Sequence, residues 1–189
     1  MKKSFLLIIV TTAILILSGC GGKKKNVIKT DTNTVLTQDS DTTIYGTLVD
    51  GAMNSMLLAT DDGDTLELLR NQDDTTEVVF GGSVVGDRYA VIAYESYGDR
   101  FIRSALNLES LKSHWKSLDK DFELLDGGTV RQSNTTEGNG WKSWRILNGH
   151  LLLDKDTFDI NMLGADSMLL ENKDGIYSFQ RAKPDTNVK

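Results

Sequence analysis

Cysteine, proline and histidine are almost missing from this sequence, which has one, one and two of them in 189 residues. A lone thiol, Cys20, leaves no partner for a disulfide within the chain and no Cys-based metal cluster. Two histidines, His114 and His150, rule out a three-histidine metal centre, and any Ser-His-Asp relay would have to use one of them. Both read as surface or boundary residues, His114 beside Trp115 between two strand groups and His150 just after a hairpin tip. There is no H-E-x-x-H and no phosphate-cradling glycine loop. The proline, Pro184, lies in the tail, so nothing breaks a strand from within. No cofactor is expected.

Positive charge is scarce too. Between residues 41 and 108 four basic side chains (Arg70, Arg88, Arg100, Arg103) stand against twelve acidic ones. A polyphosphate would be repelled, because its binding draws on cation-driven counterion release. Nucleic acid is therefore not an expected partner. The carboxylates gather at turns, where solubility accounts for them, and none stands out as half of a glycosidase pair. "TDDGDT", residues 60 to 65, lacks the ligand spacing of a calcium loop and reads as a charged hairpin tip.

The one long apolar run is at the start. Lys2-Lys3 precede "SFLLIIVTTAILILS", a positive region and then a short apolar one, the pattern of an export signal. The run is shorter than the roughly twenty residues a membrane span requires. Leu17-Ser18-Gly19-Cys20 resembles a bacterial lipobox. That resemblance implies cleavage between Gly19 and Cys20 and lipidation of the Cys20 thiol, which also removes it from catalysis. Each acyl CH₂ is worth about 0.8 kcal/mol at the membrane, so several chains anchor firmly. Gly21, where an Asp would imply inner-membrane retention, points to the outer membrane. Lys23-Lys24-Lys25, in place of acidic residues, points to its periplasmic leaflet. Losing the signal removes two lysines and takes the net charge from −6 to −8.

Residues 1–19 are thus expected to be the signal peptide and 20–40 a polar lipidated tether. From there on, twelve short alternating segments are broken by Gly, Asp and Asn, with hairpin signals at Asp62-Gly63, Asn148-Gly149 and Asp174-Gly175. The one helical pattern is "LNLESLKSHWKSLD", where Leu108, Leu111, Trp115 and Leu118 fall on one face. The fold class is all-β: two small antiparallel barrels with one short helix between them, and a disordered tail at 184–189.

In residues 41–108, five strands and then a helix suggest a small barrel, with Gly46 permitting a bend or close backbone approach. "GGSVVGDRYAVIAYE" resembles the fourth-strand region of OB-like barrels. Tyr89, Val91 and Ala93 should share one face, and Ala90, Ile92 and Tyr94 the other. Residues 109–183 are similar to the lipocalin-like (calycin) domains of small bacterial lipoproteins, through Trp115, Asp126-Gly127, Trp144, Ile146, Asn148-Gly149, Phe158, Ile160, Asp166, Tyr177, Phe179 and Arg181. By alternation Trp144 with Ile146, Phe158 with Ile160 and Met162, and Tyr177 with Phe179 should face the interior. Trp141, three residues from Trp144, should be the exposed aromatic. The interior is expected to be either filled by side chains or open to an apolar ligand.

These features imply a bacterial outer-membrane lipoprotein, held at the membrane by its N-terminal lipid and facing the periplasm. It would be a non-enzymatic module that binds an envelope protein or a small apolar or glycan ligand, with Trp141, Trp144 and Tyr177 as candidate contacts. An envelope-stress sensor is the second reading, weakened by the absence of the Cys-x-x-Cys found in one such type. A glycan-processing accessory enzyme is the third.

Overall fold

The computed structural model describes residues 40–133 and 140–183. Gly19, Cys20, the tether before Ser40 and the tail from Pro184 lie outside the described residues. The rest is all-β, with one closed five-strand barrel, one nearly closed eight-strand antiparallel barrel and one short helix between them.

Strands β1 (Ile44–Gly51), β2 (Ser55–Thr60), β3 (Thr65–Leu69), β5 (Arg88–Ser96) and β6 (Asp99–Asn107) form the first barrel, with a two-residue β4 (Val79–Phe80) beside β6. Antiparallel pairing runs β3-β2-β1-β5-β6, and a parallel contact, Leu69 with Phe101, closes the ring. A Cβ at Gly46 would lie 2.4 Å from the Ala59 carbonyl oxygen, so only glycine lets β1 and β2 approach this closely. Leu48, Met56, Leu58, Leu68, Tyr89, Val91 and Ile102 are fully buried inside. Ala93 packs against them, as the alternation of β5 requires. Each such aliphatic side chain contributes about 1.5–3 kcal/mol by leaving water.

The helix is one turn long. In α1 (Leu108–Leu111) the Asn107 side chain accepts from Ser110 N at 2.9 Å, and the Lys112 N–H closes the turn on Leu108 O. The expected longer helix is not formed. His114–Lys116 is strand β7, pairing with β8 (Asp121–Leu125), and Ser117 Oγ accepts from Lys120 N in the turn between them. Leu118, buried in a helical reading, stands fully exposed at that turn. Trp115 is completely buried and its Nε1 donates to Leu111 O, which caps the helix end. Pairing and burial of Trp115 in the second barrel thus outweigh a weak local helix preference.

The second barrel continues through β9 (Thr129–Gln132), β10 (Trp144–Leu147), β11 (His150–Leu153), β12 (Asp156–Leu163), β13 (Ser167–Asn172) and β14 (Gly175–Arg181). Every strand pairs with its sequence neighbour except at β9 and β10, and β14 returns to β7. Among the described residues the β9–β10 seam is bridged by Thr129 with Ser143 and by Val130 N donating to Lys142 O. A bulge between Ile160 and Met162 switches the faces of β12. Leu163 is buried, while Met162, expected inside, is exposed.

The barrels are packed together. Ala90 and Leu106 of the first, and Leu108 and Leu111 of the helix, join the core of the second. Asn148 and Gly149 have positive φ, the backbone of a type I′ hairpin tip. There Asn148 Oδ1 accepts from Thr42 N and Oγ1 at 2.8 and 2.9 Å. Gly149 lies against Ile92 and Ser104 of the first barrel.

Candidate functional site

The turns at 117–120, 154–155 and 173–174 gather at the barrel end opposite this junction. Five rings lie beneath them in a chain. Phe179 meets Phe122 at 5.2 Å, Phe122 meets Trp141 at 5.2 Å, Trp141 meets Phe158 at 5.8 Å and Phe158 meets Tyr177 at 5.7 Å, every pair edge to face. That geometry sets the positive edge of one ring against the negative face of the next, and adds about 0.5–1.5 kcal/mol per pair to area burial. Trp141 Nε1 donates to Asp156 Oδ2 at 2.9 Å, and Lys120 Nζ sits 4.8 Å from the indole centre. Trp141 is thus half-buried and clamped, not the exposed aromatic its spacing suggests. Among the described residues Tyr97, on the β5–β6 turn, is the fully exposed aromatic.

Over this floor lies an open depression of about 730 Å³, lined by Trp141, Phe158 and Tyr177 below and by Lys120, Lys155 and Asp174 at the rim. Below the floor the barrel is filled. Trp115, Leu151, Leu153, Met168 and Leu170 are completely buried there. Strands of three to eight residues leave no depth for a cup once these side chains are in place.

Trp141 and Tyr177 therefore come together, and Trp144 does not join them. Trp144 Nε1 donates to Leu125 O at 2.8 Å, bracing the seam, and its ring lines a hollow of about 380 Å³ at the junction with Tyr45, Leu108 and Ile146. There the Tyr45 hydroxyl donates to Ile146 O at 3.0 Å, and burial pushes its pKa up. Phe122, Phe158 and Phe179 complete the floor and are not among the contacts expected from the sequence. Their signal was present in the alternation of "DFELL", "DTFDI" and "GIYSFQRA", but alternation assigns a side chain to the interior without saying which end of the barrel it closes.

The histidines pair with carboxylates. His114 Nε2 meets Asp121 Oδ1 at 2.5 Å and His150 Nδ1 meets Asp159 Oδ1 at 2.6 Å. Ser133 Oγ lies 3.5 Å from His114, but from the same Nε2 that meets Asp121. A relay needs the acid on one ring nitrogen and the hydroxyl on the other, so these three side chains are not arranged as one. At the barrel end Asp154 is held as an acceptor by Ser143 Oγ, Ser143 N and Lys142 N. The Ser143 hydroxyl, and then the backbone amides, keep its carboxyl below the usual range. A general acid needs the opposite shift. Among the described residues no group of three or more His, Asp or Glu side chains is placed to hold a metal ion.

No protein-family model, curated protein or solved structure matches this chain.

Proposed function

We propose that the chain is a lipid-anchored lipoprotein of the bacterial outer membrane, facing the periplasm, whose OB-like and lipocalin-like barrels form a non-enzymatic binding module. Cys20 is the attachment point in this reading. The ring order β1-β2-β3-β6-β5 with its parallel closure supports the OB-like assignment. The eight-strand meander supports the lipocalin-like one.

The observation that carries the binding role is the aromatic-floored depression at the barrel end. It offers the partly exposed rings of Trp141 and Tyr177 below, and ammonium and carboxylate groups around, to a ligand that is apolar on its ring faces and hydroxylated at its edges. That is the chemistry of a sugar ring, and a periplasm-facing protein meets cell-wall glycan. The filled interior turns the reading away from a ligand enclosed within the barrel and toward one held at its end.

The test is a tryptophan-fluorescence titration of the full chain, in detergent micelles, with soluble fragments of cell-wall glycan. Saturable quenching is expected, with affinity falling about tenfold in Tyr177→Ala and in the rim variant Lys155→Ala, a loss of about 1.4 kcal/mol. No saturable change, or affinity in both variants unchanged from that of the unmodified chain with melting temperature preserved, would contradict the proposal.

A further inference from the structure

The four arginines of the first barrel divide into two pairs. Arg88 is bridged to Asp61 at 2.6 Å and Arg100 to Glu95 at 3.1 Å. Arg70 and Arg103 make no ion pair among the described residues, although they belong to the most acidic stretch of the chain. Both line the same groove, of about 640 Å³, between the β1–β2 turn, the 70–78 segment and β5–β6. Two arginines in one groove without a direct ion-pair partner among the described residues are an arrangement for an anion that comes from elsewhere.

The two are positioned differently. Arg70 follows β3, where its backbone N–H donates to Asn54 O at 2.8 Å. One terminal nitrogen is 3.3 Å from Ser83 Oγ, and its Nε is buried without a hydrogen-bond partner. A buried donor left unpaired is costly, more so in a charged group, and native folds seldom leave one without a reason. Arg103 is exposed on β6, with its guanidinium carbon 5.4 Å from the centre of the Tyr94 ring. Tyr94 is itself stacked on Phe101 at 5.6 Å.

The rest of the groove limits the ligand. Asp74 and Glu77 line it, and a polyanion would be repelled by them. Asn54, Asn71 and Gln72 supply uncharged donors and acceptors, and Met53 and Tyr94 supply apolar contact. We propose that this groove binds a small monocarboxylate, its carboxylate shared by Arg70 and Arg103 and its apolar group lying along Tyr94 and Met53. Arginine suits that role because its planar fork matches a carboxylate bidentately. This site is separate from the barrel-end depression and does not depend on the reading given to it.

The experiment follows the arginine Nε–H resonances of the full chain in micelles by ¹H–¹⁵N NMR. The probes are hexanoate and benzoate, with hexanamide, benzamide and inorganic phosphate as controls. The proposal expects saturable shifts of the Arg70 and Arg103 signals with the carboxylates and none with the amides. Affinity should fall at least tenfold in Arg103→Gln, an exposed position whose loss leaves the backbone spectrum of Leu48 and Tyr89 in place. Equal shifts with phosphate and carboxylate would overturn the carboxylate assignment. An absence of saturable shifts, or unchanged affinity in Arg103→Gln, would overturn the site.

Discussion

The guanidinium carbon of Arg181 lies 4.6 Å from the centre of the Trp115 ring, and the two residues are paired across strands β14 and β7. Its Nη2 donates to Ser110 O at 3.0 Å and to Gly164 O at 3.3 Å, and its Nε donates to Ala165 O. One side chain thereby ties the helix, the β12–β13 turn and the first strand of the second barrel together. Arg181→Ala should destabilise the protein by about 2–4 kcal/mol, from a lost cation–π contact and lost charged hydrogen bonds. Arg181→Lys should recover less than half, because an ammonium lacks the planar fork. Urea unfolding of the two variants measures both.

Gly81 and Gly82 separate backbone conformation from packing. Both have positive φ, but a Cβ at Gly82 meets nothing within 4 Å. One at Gly81 would lie 2.8 Å from Ser110 Cβ and 3.0 Å from Leu163 Cδ2, at the contact between the barrels. Gly82→Ala should cost about 1–2 kcal/mol, the left-handed penalty alone. Gly81→Ala should cost at least about 1 kcal/mol more, since overpacking adds about 1–3 kcal/mol. Thermal unfolding of the pair gives the difference directly.

Asn107 is the one polar residue with a fully buried side chain among the described residues. It donates to Asp87 Oδ2 at 2.8 Å and to the Tyr89 hydroxyl at 3.1 Å, while its oxygen caps the helix. Asn107→Ala should cost about 2–3 kcal/mol by combining a lost cap with a lost buried hydrogen bond. Asn107→Asp should not restore it, because its carboxylate would face Asp87.

Acid should weaken the fold through Asp154. Its folded-state pKa is lowered by the Ser143 and Lys142 hydrogen bonds, so its contribution is complete above the unfolded carboxylate value of about 4. That contribution is lost as pH falls through the folded value. Asp154→Asn should therefore lower the melting temperature near pH 6 and flatten its fall below about pH 4. A variant whose acid limb matches that of the unmodified chain would contradict this.

The strand content was legible because the core alternates cleanly, as in Tyr89, Val91 and Ala93, and because Asn148-Gly149 spells its own turn. The missing strand β7 was hidden in "SHWKSLD". There Trp115 and Leu118 happen to fit a helical period, and of the two strand partners of Trp115, Phe122 and Arg181, the second is distant in sequence. The bulge at Ile160–Met162 was likewise invisible, since a one-residue shift leaves composition unchanged. At the barrel end Tyr177 was legible as an aromatic on an inward face. The clamp on Trp141, made by Asp156, Lys120 and two phenylalanines, depends on tertiary closure that no local pattern encodes.

The proposed envelope address rests on the sulfur of Cys20, and mass spectrometry of the N-terminal peptide from the native membrane fraction tests it most directly. The account predicts a chain that begins at Cys20 and carries diacylglycerol on its thiol, and a Cys20→Ser variant that loses this modification and leaves the membrane fraction. A mature chain with an unmodified Cys20 thiol, or a Cys20→Ser variant that fractionates as before, would contradict it.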